Sequence, residues 1–116
     1  MNDLNSVFMV GRLTADSELK NANGHSLVAF RIANNYNTFD DQKKEYQEET
    51  GFYNVVLFGK QSEKIAPYLK KGHRIGVNGR LKQEAWETKE GEKRNGIKIV
   101  AYTVQFLDAP RAAQTA

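Results

Sequence analysis

Residues 50–60, TGFYNVVLFGK, constrain the fold of this chain more than any other stretch. Their apolar side chains fall on both parities of an extended strand: Phe52, Val56 and Phe58 on one, Tyr53, Val55 and Leu57 on the other. Successive side chains of a strand point to opposite faces, so two apolar faces need an explanation. One can serve a core. The other needs a second core, a partner subunit, or a ligand that prefers aromatic surface.

The rest of the chain supplies more strands and one helix. Residues 6–14 alternate Val7, Met9, Gly11 and Leu13 against Phe8, Val10 and Arg12, and a short strand is expected at 18–20. Asn23-Gly24 follows, a dipeptide that tolerates the positive φ angles of a tight hairpin turn. Residues 26–35 resume the alternation, with Val28, Phe30 and Ile32 on one face. The polar tract 37–49 has too little apolar content to pack and reads as a long exposed loop or loose hairpin. Residues 61–71 form the expected helix, with Ser62 as N-cap, Ile65 and Leu69 spaced i, i+4, and Gly72 as the stop. Pro67 inside it removes a hydrogen bond at a cost of about 3 kcal/mol, so the helix should be short or kinked. Residues 74–87 and 95–107 are further strands around a charged turn with Gly91 at its tip, and Gly76 and Gly79 offer bends or a bulge.

Five principal strands with one helix between the third and fourth match a small all-β Greek-key barrel, the OB-fold. One domain is expected over residues 1–108, with a short flexible end over 109–116. The chain has no cysteine, which excludes disulfides, zinc–thiolate sites and thiol nucleophiles. The start, MNDLNSVFMV, has no signal-peptide pattern and no apolar run reaches membrane-spanning length, so a soluble cytoplasmic protein without membrane contact is expected. Lys plus Arg number 17 against 14 Asp plus Glu, a mild basic bias that suits a polyanion but decides little alone.

The segments FMVGRLTADSELK, LVAFRIANN, FYNVVLFGK, IAPYLKKGHRIGVNGRLK and the Trp86 region, taken in order, resemble the bacterial single-stranded DNA-binding protein family. The resemblance runs from about residue 4 to residue 107, and VVLFGK followed by YLKKG and a glycine-rich strand ending in tryptophan is its most specific part. It implies a homo-oligomeric OB-fold protein, usually a tetramer, that coats single-stranded DNA in replication, recombination and repair. By position it places Phe52 and Phe58 as stacking residues of the central strand, Trp86 at the base of the last hairpin, and Phe39 within one residue of a loop tryptophan. Lys20, Lys60, Lys71 and Lys82 fall on basic positions of the DNA path. Glu84 and Glu87 depart from the pattern beside Trp86. The family's larger members end in a glycine- and proline-rich linker and an acidic tip that recruits replication and repair proteins. This chain ends in RAAQTA with neither, as a trimmed chain or a short form would.

The residues argue the same chemistry directly. An aromatic ring stacks on any base without reading its identity, at about 1–3 kcal/mol per base. Phe39 in a polar loop and Trp86 beside a charged turn have poor prospects of burial, whereas Phe58 could equally belong to a core. Lys43 and Lys44 are assigned to solvent. His25 and His73 are far apart without a third ligand, and no phosphate loop, catalytic triad or motif-placed carboxylate pair is present, so neither enzyme activity nor a metal or other cofactor is expected.

The first strand, apolar on both faces, suits an association edge, and in the family this strand pairs subunits. The expected interface comprises Ser6, Val7, Phe8 and Val10, with Tyr53 nearby. A competing reading is an OB-fold primosome accessory that mainly docks other proteins. An enzyme or tRNA-related OB domain would need motifs or an added domain that the sequence lacks.

Overall fold

Alternation and turn chemistry produce six strands in this computed structural model, which describes residues 3–108. They are β1 (Val7–Leu13), β2 (Glu18–Ala22), β3 (His25–Asp40), β4 (Glu45–Phe58), β5 (Arg74–Glu87) and β6 (Lys93–Asp108). Helix α1 (Lys60–Ile65) and a 3-10 turn at Ala66–Tyr68 lie between β4 and β5. The end expected to be flexible, 109–116, lies outside the described residues.

The strands run in the order β1-β5-β6-β4-β3-β2, and a further pairing of β1 with β3 closes five of them into a ring. The β4–β6 pair is parallel and the others are antiparallel. This is the expected OB-fold barrel, with β2 as a short sixth strand outside β3. Alternate residues fill it: Val28, Phe30 and Ile32 from β3, Val55 and Leu57 from β4, Ile75 and Val77 from β5, and Ile99 and Ala101 from β6. Fully burying each large aliphatic side chain contributes about 1.5–3 kcal/mol. Leu69 and the partly buried Ile65, from the helical connection, pack on the same core.

The connections follow local chemistry. Asn23 (φ 52°) and Gly24 (φ 80°) take the positive angles of a two-residue turn joining β2 to β3. The expected eleven-residue helix is instead a six-residue α-helix followed by the 3-10 turn, because Pro67 cannot continue the hydrogen-bond ladder. Ser62 is not the N-cap. Gly59 occupies that position, and the buried Ser62 hydroxyl bonds back to the Gly59 carbonyl.

Two hairpins extend past the closed ring as arms. Of the two forms expected for the polar tract 37–49 it takes the hairpin, and a regular one: β3 and β4 pair without interruption to Asp40 opposite Glu45. Asp40 makes the turn, its carboxylate accepting the N–H groups of Gln42 (2.9 Å) and Lys43 (3.2 Å) while Lys44 adopts φ 57°. Cross-strand pairs replace a core along this ribbon: Thr50 donates to Asn35 at 2.7 Å, and the Phe39 and Tyr46 rings meet edge to face at 5.1 Å. The β5–β6 arm continues to Glu87 opposite Lys93.

Gly79 marks the expected bulge. The register shifts between Asn78 and Gly79, where β6 carries one extra residue, and a Cβ at Gly79 would collide with the Val100 carbonyl and the Ala101 Cα. The bulge changes which residues of β6 face inward. Ile99 and Ala101 are buried on one side of it, whereas Val104, opposite Val77, packs on the core beyond it.

Candidate nucleic-acid interface

The register gives the opening stretch two distinct faces. Val55 and Leu57 point inward with Phe30 and Val28 opposite them, so Phe52, Asn54, Val56 and Phe58 point outward. Opposite those stand Ala33, Arg31, Ala29 and Leu27 of β3. Lys20 of β2 pairs with Leu27, adding a cation beside Phe58. On the other flank Val56 neighbours Val100 of β6, and Val100 neighbours Arg80 of β5. One outward surface therefore runs from β2 across β3, β4 and β6 to β5, and continues along both arms.

The expected platforms lie on it. Phe52 and Phe58 are about half exposed, so Phe58 is not core. On the β3–β4 arm, Phe39 keeps the parity of Arg31 and Ala33, which directs it outward with its partner Tyr46. On the β5–β6 arm, Trp86 keeps the parity of Arg80 and Lys82 and is 50% exposed. Its indole lies across Gly96, where a Cβ would sit 3.0 Å from Cζ3 and 3.1 Å from Cη2. The absent side chain is what lets the ring settle against the strand with its other face open.

The cations differ in their availability. Among the described residues, the side chains of Lys60, Lys71 and Lys82 form no ion pair, while Lys20 pairs with Glu18 at 3.6 Å. Lys60 opens α1 directly after Phe58 and Gly59. Lys71 lies off the sheet, its main-chain N–H held by Asp16 at 2.9 Å, so the register does not bring it onto the aromatic face. Glu84, which interrupts the basic pattern near Trp86, is neutralised by Lys98 at 2.7 Å, and the Lys98 side chain is 19% exposed.

Sequence reading missed four residues of this surface. Tyr46 is 74% exposed, opposite Phe39, and the polar tract around it, read as loop or loose hairpin, offers no strand register that would single it out. Arg31 sits over the Phe52 ring, its Cζ 4.7 Å from the centroid. Arg80 and Arg94 share the Trp86 face, and counting back in twos from Trp86 would have found Arg80.

The expected subunit edge is half open. β1 pairs with β5 along Val7–Arg12, but with β3 only at Arg12 and Leu13, leaving the other edge from Val7 to Gly11 without a strand partner among the described residues. Phe8, 78% exposed, and Val10 point out, whereas Val7 and Met9 pack on the core. Ser6 precedes the strand and Tyr53, at the rim of the barrel, is partly exposed. His73 has a structural role: Nδ1 lies 3.0 Å from the Tyr68 carbonyl and its ring packs on Phe106. No helix among the described residues is long and apolar enough to cross a membrane.

Comparison with known proteins places this architecture. The signature of the Single-strand binding protein family matches residues 4–107. The chain is 39% identical over 112 residues to a single-stranded DNA-binding protein of Aquifex aeolicus, covering 96% of this chain and 75% of that one. It is 42% identical over 108 residues to the corresponding protein of Treponema pallidum, covering 92% of this chain but only 60% of that one. Among solved structures, Plasmodium falciparum SSB in complex with ssDNA superposes with a TM-score of 0.85 over 93% of this chain and 98% of that one, a likeness of fold at 24% identity. A deletion mutant of the single-stranded DNA binding protein from Thermus aquaticus gives a TM-score of 0.79 at 28% identity, over 90% of this chain and 51% of that one.

Proposed function

The chain belongs to the single-strand binding protein family, and from that premise we propose that it binds and coats single-stranded DNA without catalysing a reaction on it. One observation carries the reading: Phe52, Phe58, Phe39 and Trp86 all point outward on one pleated surface, each about half exposed, with cations between them. Bases stack on the rings at about 1–3 kcal/mol each, with little regard to identity. Lys20, Lys60 and Lys82 take the phosphates on this surface, and Lys71, off the sheet, takes one where the strand runs beyond it. Duplex DNA hides its base faces and binds far more weakly. The role is to protect and present single strands during replication, recombination and repair in the bacterial cytoplasm.

Binding is by a homo-oligomer. The open edge of β1 pairs two subunits through Val7, Phe8 and Val10, with Ser6 and Tyr53 at the margin, and outer-face contacts build the tetramer. A monomer in light scattering at micromolar concentration would refute this.

The test of binding is titration of Trp86 fluorescence with oligo-dT at two salt concentrations. Deep quenching is expected, and four phosphate contacts give a slope of log K against log salt of about −3. Unchanged fluorescence rejects stacking at Trp86. Equal affinity in Phe52→Ala and Phe39→Ala rejects the platform. Glu87 beside Trp86, unlike the paired Glu84, favours the competing reading, a replication accessory that docks proteins. It predicts a dimer and little quenching.

A further inference from the structure

Beside Phe52 lies a groove of about 430 Å³, the part of the outward surface that stacking alone does not explain. Its lining includes the outward Ala29 and Val56 and the polar side chains of Arg31, Asn54, Asp16, Glu18 and Lys20. Arg31 is the unusual member. Its guanidinium is seated over the Phe52 ring at 4.7 Å and, among the described residues, makes no hydrogen bond or ion pair. A guanidinium carries five N–H donors in a planar fork, and here the ring holds that fork at the groove edge without consuming any of them.

The polar lining disfavours a phosphate and suits the edge of a base. Asp16 and Glu18 oppose an anion entering the groove, whose second cation, Lys20, is paired with Glu18 at 3.6 Å. Asp16 accepts the Lys71 N–H at 2.9 Å and lies 3.8 Å from Lys70, yet a carboxylate has about four acceptor sites, so both acids keep lone pairs to offer. A flat heterocycle on Ala29 and Val56 meets donors from Arg31 and acceptors from the carboxylates. Guanine fits that division. Its O6 and N7 are adjacent acceptors that match an arginine fork, and its N1–H and N2 amino groups are donors. Adenine places an amino donor where guanine has O6, and thymine lacks the second acceptor of the fork, whereas cytosine, whose N3 and O2 are adjacent acceptors in a single strand, is the nearest competitor.

We propose that Arg31, held on Phe52 beside this groove, forms a base-edge subsite that favours guanine within an otherwise sequence-tolerant strand. The proposal rests on the single-stranded DNA reading and deepens it. Phe52 then has two tasks: it offers a stacking surface and it orients the arginine that reads the neighbouring base.

The experiment compares oligonucleotides of equal length with TTG, TTA and TTC repeats, which avoid guanine runs, together with a TTG strand carrying 7-deazaguanine. A good bidentate pair discriminates by about 1–3 kcal/mol, so at this open groove TTG repeats should bind about fivefold tighter than TTA. The 7-deaza strand, which loses N7, should lose most of that advantage. In Arg31→Lys, which keeps the charge but not the fork, the ratio of TTG to TTA affinity should fall to about one, whatever happens to the affinity shared by all strands. Equal affinity of the unaltered protein for all strands overturns the proposal, and so does a preference that survives either Arg31→Lys or 7-deazaguanine. Failure of the protein to bind any single strand overturns the parent reading instead.

Discussion

Replacing Gly96 with alanine perturbs Trp86 without touching it. The added Cβ would sit 3.0 Å from Cζ3 and 3.1 Å from Cη2 of the indole. Carbon atoms pack best at about 3.5–4.0 Å, so the ring must retreat by about half an ångström or more. It is the ring that yields, because it is half exposed and the strand backbone is fixed by the β5–β6 ladder. Gly96 has no positive φ, so alanine brings no backbone strain. Reduced freedom of the unfolded chain favours the variant by about 0.4–1 kcal/mol, offsetting the lost ring contact, and stability should stay within about 1 kcal/mol. Binding should not. If the displaced ring loses part of a stack worth about 1–3 kcal/mol, affinity for oligo-dT should fall about fivefold. The protein has one tryptophan, so intrinsic fluorescence reports this ring alone. The assay is a quenching titration of both proteins beside their thermal unfolding. A changed emission of the free variant, with quenching and affinity equal to the parent, would refute the reasoning that displacing the ring weakens its stack.

Gly79→Ala places a Cβ on the Val100 carbonyl oxygen and 2.8 Å from the Ala101 Cα, where backbone must move, so chemical denaturation should show a loss of about 3 kcal/mol. A loss under about 1 kcal/mol would mean that the bulge adapts. Glu84→Gln releases Lys98 from its 2.7 Å ion pair, and the salt slope of DNA binding should steepen by about 0.7 as that lysine reaches a phosphate. An unchanged slope would leave Lys98 a purely structural cation. Tyr36 donates its hydroxyl to Glu49 across the β3–β4 arm, and that bond, with the carboxylate's charge, raises its pKa above the ordinary 10.0. Because the folded value is the higher one, the bond's stabilisation is present below pH 10 and lost as pH rises through the raised value. Spectroscopic titration should find one late-ionising tyrosine that disappears in Tyr36→Phe, and an unaltered alkaline limb would contradict the assignment.

Much of the barrel was legible because its signals are local. The pleat repeats every two residues, so Val28, Phe30 and Ile32, or Val55 and Leu57, declare a buried face within a few positions. Asn23-Gly24 and Pro67 act through their own φ angles and need no partner. The tract 37–49 shows a loop or a loose hairpin in the sequence but not its regular pairing, for a related reason. Its stability comes from pairs such as Phe39 with Tyr46 and Thr50 with Asn35, whose members are seven and fifteen residues apart and look unremarkable singly.

By itself, then, the sequence determined which residues of TGFYNVVLFGK face apart, where Asn23-Gly24 and Gly91 turn the chain, and that Phe39 and Trp86, set among polar and charged residues, have poor prospects of burial. Only the tertiary structure decided what each outward residue touches. Closure of β1 on β3 and the extra residue of β6 near Gly79 set the register, and a shift of one residue would send every side chain to the other face. That register lays Trp86 across Gly96, seats Arg31 on Phe52, and puts Val56 in the lining of a groove. These neighbours lie on different strands, and no local period in the chain encodes the distance between them.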